Sequence, residues 1–148
     1  AWPLGRLWRL MTGRRNRAQR CLRLTGFEFE EYMAQVLRDN GFRHVEVTVE
    51  CGDQGVDILA VRNGKTYAIQ CKNYADMVGN KAVQEAYAGA EYYGCDVPAV
   101  VCPTMFTASA RELAESTGVE LWDGERLSHM MRVSGRRPHH DPRRDDEL

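Results

Sequence analysis

Residues 56–72 read VDILAVR, then Asn63-Gly64, then KTYAIQCK: two β-rich runs joined by a two-residue turn. Asn-Gly between such runs is among the strongest short hairpin signals, because a type I′ turn needs positive φ at both positions. That turn fixes the register. Arg62 pairs with Lys65, and counting back places Asp57 opposite Gln70. Side chains alternate with period two, so Asp57, Leu59 and Val61 share a face with Thr66, Ala68, Gln70 and Lys72. The other face carries Val56, Ile58 and Ala60 with Tyr67, Ile69 and Cys71 and is uniformly apolar.

One carboxylate, one amide and one ammonium thus gather at one end of one face. The rest of that face is apolar, which predicts a covering helix, and charges there are costly unless paired or bound to something. Two readings follow: a structural Asp–Lys ion pair at a sheet end, or half of a reaction centre. A carboxylate and an amide oxygen are hard ligands suited to Mg²⁺, and a neighbouring ammonium can polarise a phosphate or orient a water. A second carboxylate would complete a metal site.

The helix that opens the body offers three acids. Phe29, Met33, Val36 and Leu37 recur at helical spacing, and Asn40-Gly41 supplies the stop. Of Glu28, Glu30 and Glu31, Glu30 borders the apolar stripe most closely, whereas Glu28 and Glu31 read as solvated first-turn acids. For Glu30 itself, an ordinary helix-start acid is an equal reading.

Further along, HVEVTVE (44–50) alternates as a strand, and CGDQG (51–55) is a turn-rich loop. A helix is predicted over 80–93 with Val83, Tyr87 and Ala90 on one face, and PAVVCP (98–103) reads as a buried strand. SARELAEST (109–117) is helical, VELW (119–122) a strand and ERLSHMMR (125–132) a last helix. The order α-β-β-β-α-β-α-β-α predicts an α/β fold, a mixed central sheet flanked by helices.

The chain has 148 residues and a formal net charge of −1, which hides an asymmetry. Residues 1–24 hold seven arginines and no acid, and 133–148 are neutral, leaving −8 on the body, 25–132. A body that binds nucleic acid normally presents a basic patch, so here the arm or a local patch would supply that field. The arm's AWPLGRLWRLM resembles the cytoplasmic flank of a membrane span, and a trimmed linker or a DNA-touching arm reads as well. Residues 133–148, polar and proline-containing, read as a disordered tail. Five cysteines without a C-x-x-C pair argue against disulfides and structural zinc and favour a reducing, cytoplasmic setting.

GFEFEEYMAQVLRDNGF (26–42), GDQGVDILAV (52–61) and YAIQCKNY (67–74) resemble the Mrr-type restriction endonuclease catalytic domain, of the PD-(D/E)xK nuclease superfamily. VQEAYAGA, MFTASARELAE and VELWDGERL extend the likeness over about 24–131. The resemblance implies a restriction-endonuclease-like fold and Mg²⁺-dependent hydrolysis of DNA in restriction or DNA processing. Asp57 matches the family's metal-binding aspartate, Gln70 and Lys72 its (Glu/Gln)-x-Lys, and Glu30 its helix-borne glutamate. Asp57, Gln70 and Glu30 are then the expected metal ligands, with all four residues catalytic. Asp53 falls in the loop before the aspartate, as a supporting residue or a turn former. Glutamine at position 70 removes one negative charge relative to the superfamily pattern. DNA is the implied partner; a membrane contact through the arm and a homodimer are further partners to test. A catalytically silent nucleic-acid-binding or membrane-tethered module is the alternative.

Overall fold

The structure, a computed structural model, describes residues 17–48 and 55–147. Most of the arm (1–16) and most of the loop before Asp57, including Asp53, lie outside the described residues. Helix α1 (Gly26–Asp39) begins with a reciprocal cap. Thr25 Oγ1 accepts the Glu28 N–H at 3.1 Å, and the Glu28 carboxylate accepts the Thr25 N–H at 2.9 Å. Two amides that the helix cannot satisfy are thereby paired. The chain continues through β1 (Arg43–Val47), β2 (Ile58–Arg62), β3 (Lys65–Cys71), α2 (Asn80–Tyr93), β4 (Val97–Val101), α3 (Ala108–Thr117), β5 (Glu120–Trp122) and α4 (Gly124–Ser134). That is the element order the sequence predicts.

The five strands lie side by side in chain order, β1 to β3 antiparallel and β3 to β5 parallel. Asn63 and Gly64 take φ of 51° and 74°, as a type I′ turn demands, and the register runs from Arg62–Lys65 to Ile58–Ile69 as expected. Helices α1 and α4 cover one face, where Phe29, Met33, Leu37, Leu127 and Met131 pack on Ile58, Ile69, Val101 and Trp122. Helices α2 and α3 cover the other, where Val83, Ala86 and Ala110 pack on Val100. Strand β4 feeds both cores, with Ala99 and Val101 on one side and Val100 and Cys102 on the other. This explains its unbroken apolar run.

Two expectations at the ends of the chain are corrected. The last residues of the supposed arm form a 3₁₀ helix, Arg17–Arg23, that buries Ala18 and Cys21 against α4. The tail is also not free. Tyr32 donates its hydroxyl to the Arg136 carbonyl at 2.7 Å, and Arg136 pairs with Asp39 at 2.6 Å. His140 Nδ1 lies 2.8 Å from Glu28, the Asp141 N–H donates to the same carboxylate at 2.9 Å, and Arg144 reaches Glu31 at 3.0 Å. Composition signals disorder because the tail has little to bury, but α1 presents acids that match the tail's cations. Glu28 is accordingly buried at the helix start, not solvated.

Hydrogen bonds from Asp141 and Thr25 and then from His140 pull the Glu28 carboxyl down to about 2. The Glu28 and Asp145 carboxylates outweigh desolvation and raise His140. The His140 contribution is full below its unfolded pKa of about 6.5 and is lost as pH rises through the higher folded value. The Glu28 contribution is full above about 4.5 and fades as pH falls towards about 2. Hydrogen exchange over 136–147, corrected for intrinsic rates, should therefore be slowest between about pH 4.5 and 6.5 and faster on the alkaline side. His140→Ala should erase the alkaline change.

Candidate active site

The middle strand, β3, ends on the residues singled out by the sequence. On its β4 side the ladder runs past the strand, since the Lys72 N–H donates to the Val101 carbonyl at 2.9 Å. On its β2 side the pattern changes at Asp57. The Asp57 N–H donates to the Ile69 carbonyl at 2.9 Å, and the Cys71 N–H donates to Asp57 Oδ2 at 2.7 Å. A side-chain carboxylate thus takes the place of a backbone acceptor. The face alternation slips at the same point: Val56 packs with Ala68 and Ala90, while Ile58 lies in the opposite core. This corrects the expected pairing of Asp57 directly opposite Gln70 and the placement of Val56 with Ile58. One backbone step is used differently, as in a bulge, and the strand end is re-aimed.

Asp57 faces Glu30 of α1. Burial first, then the Asp57 charge and a hydrogen bond with Asp57, push the Glu30 carboxyl up to about 7. A carboxyl group held protonated by burial and by a facing carboxylate is a natural place for a cation, which relieves the repulsion that the proton otherwise relieves. Asn73, just past β3, ties the strand end to the segment ahead of α1, its Nδ2 donating to the Cys21 and Leu24 carbonyls at 2.9 Å each.

Gln70 and Lys72 meet a residue that the sequence reading passed over. Gln70 is 3% exposed, and its Nε2 donates to Glu85 Oε2 at 2.6 Å. Its Oε1 is buried without a partner. Lys72 Nζ lies 3.4 Å from the same Glu85 oxygen and 3.4 Å from the Tyr74 hydroxyl. Burial pulls the Lys72 pKa down, but Glu85 and Tyr74 outweigh it, so the group stays an ammonium. Burial would raise Glu85, yet Gln70 and Lys72 prevail and keep it ionised.

The structure therefore joins Glu30 to Asp57, and Gln70 to Lys72 through the shared Glu85 oxygen, while the Asp57–Cys71 hydrogen bond ties Asp57 to the strand segment between Gln70 and Lys72. Tyr87, expected on the face of α2 that carries Val83 and Ala90, is exposed instead. A signal for Glu85 existed. It flanks a stripe of Ala82, Ala86, Gly89 and Ala90, small residues that let α2 approach the sheet closely. Gly55 contributes to that approach: at φ +66°, a Cβ there would lie 3.1 Å from the Glu85 Cβ and carbonyl oxygen.

Among the described residues no three His, Cys, Asp or Glu side chains cluster as a metal cage. The available set is two carboxylates and the unpartnered amide oxygen of Gln70. That set fits a small hard cation, which commonly binds one or two carboxylates and fills its remaining positions with water and phosphate oxygens.

The restriction endonuclease family Mrr_cat matches residues 21–131. An uncharacterised protein of Archaeoglobus fulgidus is 32% identical over 97 residues, covering 60% of this chain and 56% of that protein. The chain thus spans little more than half of that relative's length. Among solved structures, AF1548, a protein of unknown function, superposes with a TM-score of 0.65 at 23% identity, over 75% of this chain and 67% of that one. The DNA modification-dependent restriction endonuclease AspBHI superposes at 0.58 with 19% identity, over 76% of this chain and 32% of that one. At these identities the two superpositions establish a common fold. The sequence match spans well over half of the chain, and the chain belongs to the Mrr-type restriction endonuclease catalytic-domain family.

Proposed function

We propose that this domain is a DNA endonuclease, of restriction or DNA-processing type, that hydrolyses phosphodiester bonds with Mg²⁺ held by Asp57, Glu30 and Gln70 Oε1. The observation that carries this reading is the buried, unpartnered Gln70 oxygen at the end of the strand where Asp57 faces the half-buried Glu30. An unpaired buried acceptor costs about 1–3 kcal/mol, a cost that a bound cation removes. When bound, the metal would supply Lewis-acid activation of a water and neutralise charge on the phosphate.

The chain's own groups do the rest. Glu30 would bind as a carboxylate, beside Asp57, once its own proton leaves. Lys72, kept cationic by Glu85, orients the attacking water and stabilises the charge that builds on the phosphate oxygens. Water adds to phosphorus, one ester oxygen leaves, and a phosphomonoester and a hydroxyl result. The acidic body suits a site that must first collect cations before a polyanion can enter.

Lys72→Ala should reduce plasmid cleavage by at least about 100-fold in Mg²⁺ while leaving the melting temperature nearly unchanged. Wild-type cleavage by this variant would remove Lys72 from the chemistry. The Glu30 carboxyl is protonated below about 7, so metal must displace a proton there. Apparent Mg²⁺ affinity, measured calorimetrically, should therefore rise between about pH 6 and 8, and Glu30→Gln should flatten that rise. An equally steep rise in the variant would place the titrating group elsewhere.

A further inference from the structure

The Gln70 amide has two chemically opposite ends. Only the N–H₂ end can face a carboxylate, because the carbonyl end would set oxygen against oxygen. Glu85 takes the Nε2 hydrogen at 2.6 Å, so Oε1 is turned away from α2 and left buried without a partner. The same Glu85 oxygen also sits 3.4 Å from Lys72 Nζ, while its other oxygen lies 3.8 Å from Lys81. Gly55 leaves room for the Glu85 backbone at a place where any Cβ would lie 3.1 Å away. Four features thus converge on one side chain of α2.

We propose that Glu85 is the positioning residue that makes a glutamine-based metal site work: its carboxylate holds the Gln70 amide with the carbonyl oxygen presented to the cation, and holds Lys72 beside it. This rests on the metal-dependent reading above and deepens it. The negative charge missing at position 70 is present one hydrogen bond behind it, where it orients a neutral ligand. A glutamate at position 70 is then incompatible with Glu85. A carboxylate at position 70 has no N–H to give Glu85, so oxygen would be set against oxygen and the group aimed at the cation would lose its hold. Gln70→Glu, which on a charge count would strengthen the site, weakens it, and exchanging the two residues restores it.

The test compares wild type, Glu85→Gln, Gln70→Glu and the exchanged Gln70→Glu/Glu85→Gln protein. The probe is Mn²⁺, titrated calorimetrically into the metal-free protein at pH 7, with plasmid cleavage measured against Mg²⁺ concentration. Glu85→Gln should weaken Mn²⁺ binding about 10-fold or more, the usual effect of removing a group that orients a metal ligand. It should raise the half-saturating Mg²⁺ concentration to match. Gln70→Glu should also bind less tightly than wild type, and the exchanged protein should return to within about threefold of it. In ¹⁵N spectra the Gln70 side-chain amide should be slowly exchanging in wild type and lose that protection in Glu85→Gln, a readout independent of metal and activity.

Unchanged Mn²⁺ binding in Glu85→Gln, or tighter binding in Gln70→Glu, would overturn the proposal while leaving the metal site standing. Losses in both single variants that the exchange does not repair would make Glu85 a ligand itself and overturn the positioning role. No Mn²⁺ binding by wild type would instead remove the metal-dependent reading, and this inference with it.

Discussion

The hydrogen bond from the Cys71 amide to the Asp57 carboxylate organises this end of the molecule. A backbone N–H at the end of a buried strand must find an acceptor, and here the acceptor is a side chain that also belongs to the candidate site. Where Asp57 closes the ladder, the alternation breaks just ahead of β2, and the Asp57 carboxylate faces Glu30 of α1 while Gln70 faces Glu85 of α2. Helices from both layers are thereby brought to the same strand end. The site is assembled from rigid elements, and its rim is pinned by Asn73 against the start of α1 and by Thr104 against the carbonyls of Tyr74 and Asp76.

Two kinds of electrostatic balance coexist a few residues apart. Burial and the facing Asp57 raise the Glu30 carboxyl, so a cation would relieve the repulsion in this half of the site. Gln70, Lys72 and Glu85 form a satisfied set apart from one amide oxygen, and this half is poised to position an ammonium and a neutral ligand. An amide at position 70 in place of an acid removes charge from the strand end, while Glu85 keeps a charge on the helix behind it. The −8 body, which on its own argues against DNA affinity, is the electrostatic complement of a cation that would mediate contact with phosphate.

Much of this was legible in the chain. Asn63-Gly64 fixed the hairpin and its register as far as Ile58, the helical stripe of Phe29, Met33 and Leu37 placed α1, and the border position of Glu30 marked it among three acids. The slip at Asp57 was not legible, because it arises when a side chain outcompetes a backbone carbonyl, and alternation rules assume the reverse. Glu85 escaped because α2 was read through its large residues, with Tyr87 on the buried face, whereas small residues make the contact. The tail escaped for a related reason: its order comes from pairing with the acids of α1, and composition alone records only that it has little to bury.

Anomalous diffraction from crystals of the protein grown with Mn²⁺ bears most directly on the metal site. The account predicts one strong peak at the end of β3, with Asp57, Glu30 and Gln70 Oε1 at about 2.1 Å and Glu85 one hydrogen bond behind. A peak bound to Glu85 without Gln70 Oε1, or no ordered metal at Asp57, would contradict it.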